Sequence, residues 1–251
     1  MKIKLRSLIS SLPLLLSMSC TSSPDPKLVS ELDALARTPA KTATIPGAAN
    51  YTAMPIKAGQ WVHYLITDKD GHRSSMRQQV WSKGDGPESF WFEMESITPG
   101  SRSTTRSLIS ISEDARQKAK PGRYEYTADQ FVKIKRLIDW RQGNSQADEL
   151  PPVAVQMMGG AIGKISFLSA SRIHGQTNTT VKAGTFQRCF QMDSTVTTSF
   201  ATSGIKGCVH PAVPLSGLVQ AEDDKGSKWE LIGFGTDAKD SLIKVPVKSS
   251  Y

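Results

Sequence analysis

The residues of this 251-residue chain that could do chemistry are few: Cys189 and Cys208, four histidines, and the acidic pair Glu93 and Glu95. Cys189 and Cys208 stand far enough apart to be joined in a disulfide closing a loop of about 20 residues. Two free thiols, or a metal pair with His210, are the competing readings. Cys208-x-His210 supplies two ligands, and two ligands do not make a metal site. His63, His72, His174 and His210 follow no ligand spacing, and His72 falls in a turn signal where exposure accounts for it. Glu93 and Glu95 alternate onto one face of a strand, a spacing open to acid/base work. Solvent exposure of that face is the plainer expectation. The chain has no Gly-x-Ser-x-Gly elbow, Walker loop, dinucleotide fingerprint or HExxH helix. No catalytic residue, metal site or cofactor is therefore expected, and the protein is read as a non-enzyme.

The third cysteine has a different setting. Lys2, Lys4 and Arg6 precede an apolar run from Leu8 to Leu16, which Pro13 interrupts and which is too short to span a bilayer. Ser17-Met18-Ser19-Cys20 then has the form of a lipobox, with small residues around the thiol. Leu16 lies one place from the usual leucine. An ordinary secretory signal with a chance cysteine is the competing reading. Residues 1–19 are thus expected to be a leader, Cys20 the lipidated (palmitate-bearing) residue, and 20–27 a Pro- and Ser-containing tether. Thr21, in place of Asp, points to the outer membrane, on its periplasmic face. Acylation of Cys20 leaves Cys189 and Cys208 as a pair in an oxidising compartment, which favours the disulfide.

The elements that must position these groups are mostly strands, in one domain over 28–251. Asp25 and Pro26 begin a short amphipathic helix carrying Leu28, Leu32 and Leu35. Gln60 to Thr67, Ser74 to Ser82, the segment through Phe90 and Ile97, and that through Leu108 and Ile111 read as strands joined by Asp68-Lys69-Asp70-Gly71, Lys83-Gly84-Asp85-Gly86-Pro87 and Thr98-Pro99-Gly100-Ser101. Thr127-Ala128-Asp129-Gln130 has capping-box form, and Phe131, Ile134, Leu137, Ile138 and Trp140 recur at helical spacing up to Gly143. A second helix packed on the sheet is expected there. Residues 145–163 read as a connection. Further strands are expected near 164–169, 177–181, 185–192, 217–222 and 229–234, with Phe186, Phe190 and Met192 on one face and Cys189 on the other. Lys and Arg number 31 against 23 Asp and Glu, three of the basic residues lying in the leader. The remainder is scattered, and no nucleic-acid partner is expected.

Gly59-Gln60-Trp61-Val62-x-Tyr64, Phe90-Trp91-Phe92-Glu93, Val181-Lys182-Ala183-Gly184-Thr185-Phe186, Val213-Pro214-Leu215-Ser216-Gly217-Leu218-Val219 and Leu231-Ile232-Gly233-Phe234-Gly235 together resemble the broad LolA/LolB-like superfamily of envelope lipoprotein carriers over residues 28 to 240. The resemblance implies an open, curved antiparallel half-barrel with helices on its concave side and an apolar cavity for acyl chains. The fold class expected is therefore α+β and β-rich, a curved antiparallel sheet with one or two packed helices. Trp61, Tyr64, Trp91 and Phe131 are the candidate lining of a lipid cavity, whose ligand would be a lipid or a lipoprotein acyl group. A filled core without a cavity, in a protein-binding accessory lipoprotein, is the alternative.

Overall fold

The computed structural model describes residues 23–52, 54–86, 88–111, 124–127, 132–156, 166–197 and 202–249. Cys20 and Phe131 lie outside the described residues. Helix α1 (Pro26–Arg37) starts as its sequence demands: the Asp25 side chain accepts from the Lys27 amide at 2.9 Å, and Pro26 occupies the first turn. Its apolar side, Leu28 and Leu32, packs on Ile97. No helix among the described residues is long and apolar enough to cross a membrane.

The strands are β1 (Thr44–Ile45), β2 (Trp61–Thr67), β3 (Arg73–Lys83), β4 (Ser89–Thr98), β5 (Ser101–Ile111), β6 (Tyr124–Thr127), β7 (Val132–Arg141), β8 (Ala147–Glu149), β9 (Ser166–Val181), β10 (Gly184–Thr197), β11 (Thr202–Val209), β12 (Leu218–Asp223), β13 (Lys228–Gly235) and β14 (Val247–Ser249). They form one sheet in the order β14-β8-β7-β5-β4-β3-β2-β13-β12-β11-β10-β9-β6, with β1 added in parallel to β10. The two ends of this order do not pair, so the sheet is curved and unclosed. Apart from β1–β10 and β14–β8 the neighbours are antiparallel. A β-rich α+β fold with a half-barrel-like sheet is thus what the chain adopts.

The expected helix after Thr127 is instead strand β7. A bulge explains the misleading spacing: Leu108 pairs with Arg136 but Ile109 pairs with Ile134, so Lys135 is an extra residue. Ile134 and Leu137 therefore share a face although three residues apart, an interval that imitates a helix. Gly143, at φ 94°, makes the turn into β8 instead of capping a helix. The same device corrects the expected facing of Cys189. Arg188, at φ 53°, is extra between the pairs Phe186–Thr179 and Cys189–Thr177, which puts Phe186 and Cys189 on one face. The connection after 145 contains β8 and a helical turn at 152–156; 157–163 fall outside the described residues.

The main core joins both halves of the sheet. Val62, Tyr64, Met76, Val80, Phe90 and Ile109 meet Phe186, Val219 and Leu231, with Val213 and Leu215 closing over them from a loop. A smaller cluster of Ile138, Ala147 and Ile243 holds the far edge.

Candidate functional site

β9 bends back toward β12 and β13, and between them the sheet encloses a groove of about 740 Å³. Register explains its chemistry. Arg172, Asp193, Lys206, Glu222 and Lys228 are successive cross-strand partners on β9 to β13, so charge alternates from strand to strand; four of these five line the groove. Such pairs of opposite sign are mutually favourable and leave the row close to neutral. Beneath it Gln191, Cys208 and Gln220 form a second row of direct partners. Cys208 is disulfide-bonded to Cys189, with Cα atoms 5.7 Å apart. The bridge crosses from β10 to β11 in the groove wall and leaves no thiol for a metal.

The aromatic residues expected to line a cavity are not brought together. Tyr64 is buried in the main core, where its hydroxyl bonds Ser216 Oγ at 2.7 Å and donates to the Leu218 carbonyl at 3.0 Å. Burial lifts its pKa well above the ordinary tyrosine range. Trp61 lies on the opposite face of β2, donating from Nε1 to Asp237 at 2.8 Å. Trp91 packs on the Ile138 cluster. Each of these two indoles is covered by a guanidinium, Arg77 at 4.8 Å over Trp61 and Arg136 at 5.3 Å over Trp91, and Arg106 likewise lies 4.7 Å over Trp81. The ring faces that an acyl chain would touch are taken by cations.

Glu93 corrects the expectation of an exposed acidic face, since it is fully buried. Register again explains why: Trp61, Gln79, Glu93, Arg106 and Ile138 are direct partners across β2, β3, β4, β5 and β7. Residues 237–243 run along this row and cover it. Glu93 accepts from Arg106 Nε at 2.8 Å, Gln79 Nε2 at 2.7 Å, Ser241 Oγ at 2.5 Å and the Leu242 amide at 2.8 Å. With four donors on its two oxygens, this carboxylate fastens residues 241–242 to the sheet. Glu95, two residues on, is partly exposed, and burial raises its pKa against the pull of Arg102 and Arg77. His63, on the same face, is lowered to about 4 by burial and by the neighbouring Arg77.

His72, His174 and His210 lie in three separate places, the turn after β2, the groove of β9 to β13 and the main core. Asp68, Asp70 and His72 gather near one another, but Asp68 Oδ1 already accepts the amides of Asp70 and His72, each at 2.9 Å. That is turn chemistry. His210 is buried against the Phe186 ring at 5.3 Å. The groove charges and the Glu93 anchor were missed in the sequence because both arise from long-range register. Charged residues spaced among apolar ones in β12 and β13 are a local trace of the groove row, and Glu93 has none.

No protein-family model matches the chain, and no curated protein matches it in sequence. Among solved structures it is similar to an inferred lipoprotein of Parabacteroides distasonis, with 14% identity, 72% of this chain and 97% of that one covered, and a TM-score of 0.34. It is also similar to an inferred exported protein of Bacteroides fragilis with a YmcC-like fold, with 13% identity, coverage of 73% and 98%, and a TM-score of 0.33. MucB aligns at 12% identity, covering 88% of this chain and 62% of MucB, with a TM-score of 0.32. Likenesses of this size assign the chain neither a family nor an activity.

Proposed function

We propose that this protein is a lipid-anchored, non-enzymatic binding module of the cell envelope, held at the outer membrane through Cys20 and docking a segment of a partner protein in the groove of β9 to β13. The leader and lipobox of residues 1–20, with Thr21 after the cysteine, support the anchor. The alternating row Asp193, Lys206, Glu222 and Lys228 carries the choice of ligand. Seating an acyl chain there would strip water from paired charges and amides without replacing their hydrogen bonds, which is costly. A polypeptide supplies donors and acceptors of its own. The apolar side chains that a carrier would hold open pack instead on one another in the main core.

Two measurements test this reading. Wild-type protein should take up a palmitate analogue and sediment with outer membranes, and Cys20→Ala should do neither. Native mass spectrometry of the mature protein should show no acyl lipid beyond that attached at Cys20; stoichiometric non-covalent lipid, released by Leu65→Lys in the groove lining, would overturn the reading in favour of an acyl carrier.

A further inference from the structure

Asp25 is fastened to one end of the sheet. Its amide donates to the Pro99 carbonyl at 2.7 Å in the β4–β5 turn, and its Oδ2 accepts from Gln142 Nε2 at 2.9 Å in the turn after β7. The Gln142 amide donates to the Arg102 carbonyl at 2.9 Å, so the two turns are also joined to each other. Beyond Asp25, α1 is held along its length: Leu28 and Leu32 are buried against Ile97, Glu31 pairs with Arg102, and Asp33 meets Arg73 at 2.6 Å. The chain therefore enters the folded domain at a fixed place, the end of the sheet where β4 turns into β5.

Only Thr21, Ser22, Ser23 and Pro24 separate Asp25 from Cys20. Fully extended, this connection spans at most about 18 Å between the two Cα atoms. An acylated cysteine sits where hydrocarbon gives way to headgroups, and the headgroup layer takes about 5 to 8 Å of that reach. The remaining stand-off of about 10 to 13 Å is little more than one Debye length. β4 alone, at ten residues, is about 30 Å long. A domain longer than its leash cannot present its far end to the bilayer as readily as the end at which the leash is fixed. The charges at that end also balance: Lys27 and Arg141, both exposed, stand beside Asp25 and Asp139, so anionic lipid does not repel it.

We propose that the end of the sheet formed by the β4–β5 turn and the turn after β7 is seated on the lipid headgroups, in one orientation set by the short connection and the fastening of Asp25. This rests on the acylation of Cys20 proposed above. Helix α1 is then the spacer between bilayer and groove. It has 12 residues, a length of about 18 Å. At its far end the Thr38 carbonyl accepts from Lys182 Nζ at 2.9 Å, and the Lys182 amide donates at 2.9 Å to Glu230 Oε1, in the groove wall. The near wall of the groove is thus held within about 45 Å of Cys20. A partner segment that enters it lies close to the same membrane.

The test uses the mature acylated protein in mixed phosphatidylcholine and phosphatidylglycerol vesicles, with a nitroxide on the headgroup of part of the phosphatidylcholine. Two single variants carry a thiol-linked fluorophore: Asn144→Cys in the turn after β7, and Asp85→Cys in the turn between β3 and β4, beyond the other end of β4. The label at 144 should lose most of its emission to the nitroxide, and the label at 85 should keep its own. Intact mass of the same samples reads the acyl chains at Cys20 separately. Acylated protein quenched equally at both positions, or at neither, would overturn the seating and leave the anchor standing; protein without acyl chains would overturn both. Insertion of about 20 Gly and Ser residues after Ser23, with a mean span of about 25 Å, should keep the acyl chains and remove most of the difference between the two positions. An undiminished difference would mean that the connection does not set the orientation, which overturns the proposal as well.

Discussion

Glu93 Oε2 accepts the backbone amide of Leu242 at 2.8 Å, and this bond joins the centre of the sheet to a segment 149 residues further along the chain. Arg106 Nε and Ser241 Oγ complete the other carboxylate oxygen. Removing one member of a buried pair leaves the other charged and unmatched. Glu93→Ala should therefore cost about 3–5 kcal/mol, measured by urea denaturation. Leu242→Pro, which deletes the amide donor and also restrains the backbone at Ser241, should cost at least about 1–3 kcal/mol. A loss below about 0.5 kcal/mol for Glu93→Ala would mean that residues 237–243 are not fastened by this carboxylate.

His63 gives the stability a pH dependence of known sign. Its pKa is about 4 in the fold against an ordinary 6.5, because burial and Arg77 oppose the imidazolium. Above pH 6.5 both folded and unfolded chains carry it neutral, and its contribution is whole. Between 6.5 and 4 the unfolded chain takes the proton first, so stability falls as pH falls. The loss attributable to His63 should reach on the order of 3 kcal/mol at pH 4. His63→Asn should flatten that part of the curve. Parallel curves for the two proteins from pH 7 to pH 4 would refute the assignment.

The disulfide gives a third outcome. Cys189 and Cys208 enclose a short loop, a separation of 19 residues, and the bridge limits the unfolded chain. Its removal in the double variant Cys189→Ala, Cys208→Ala should cost about 3 kcal/mol. Both residues are buried, so a reductant should act slowly on native protein and quickly in urea. Rapid reduction without denaturant would mean that the bridge is open to solvent.

Local chemistry made some of this architecture legible and long-range register hid the rest. Asp25 and Pro26 mark the start of α1, and Asp68 through Gly71 mark the first hairpin, because caps and turns depend on neighbouring residues. The cysteine pairing followed from counting thiols. β7 and the facing of Cys189 were misread because a single inserted residue, Lys135 or Arg188, shifts the strand alternation, and insertion is defined only by the partner strand. Glu93 looked exposed for a related reason: its cover comes from Ser241 and Leu242, which no local pattern connects to it. The candidate lining of Trp61, Tyr64 and Trp91 failed because strand parity puts Tyr64 on one face and the indoles on the other.

β7 itself supplies the last prediction. As a helix, the segment would have hidden Ile134 and Ile138 together on one stripe. As a strand with a bulge at Lys135, it places Ile134 toward Ile109 and the main core, and Ile138 on the opposite face with Ala147 and Ile243. Ile138 is 2% exposed, whereas Lys133 and Lys135 point to solvent. Ile138→Ala should thus cost about 2–5 kcal/mol by cavity formation, and Lys133→Ala at most about 0.5 kcal/mol. Ile138 is also the direct partner of Arg106, the ligand of Glu93, so its loss should couple to that of the carboxylate. The double variant Ile138→Ala, Glu93→Ala should lose less than the two single losses added together, because both release residues 237–243 and the segment can be released only once. Urea denaturation of the two single variants and the double variant measures this, and strict additivity would show that the cluster and the carboxylate hold the segment independently.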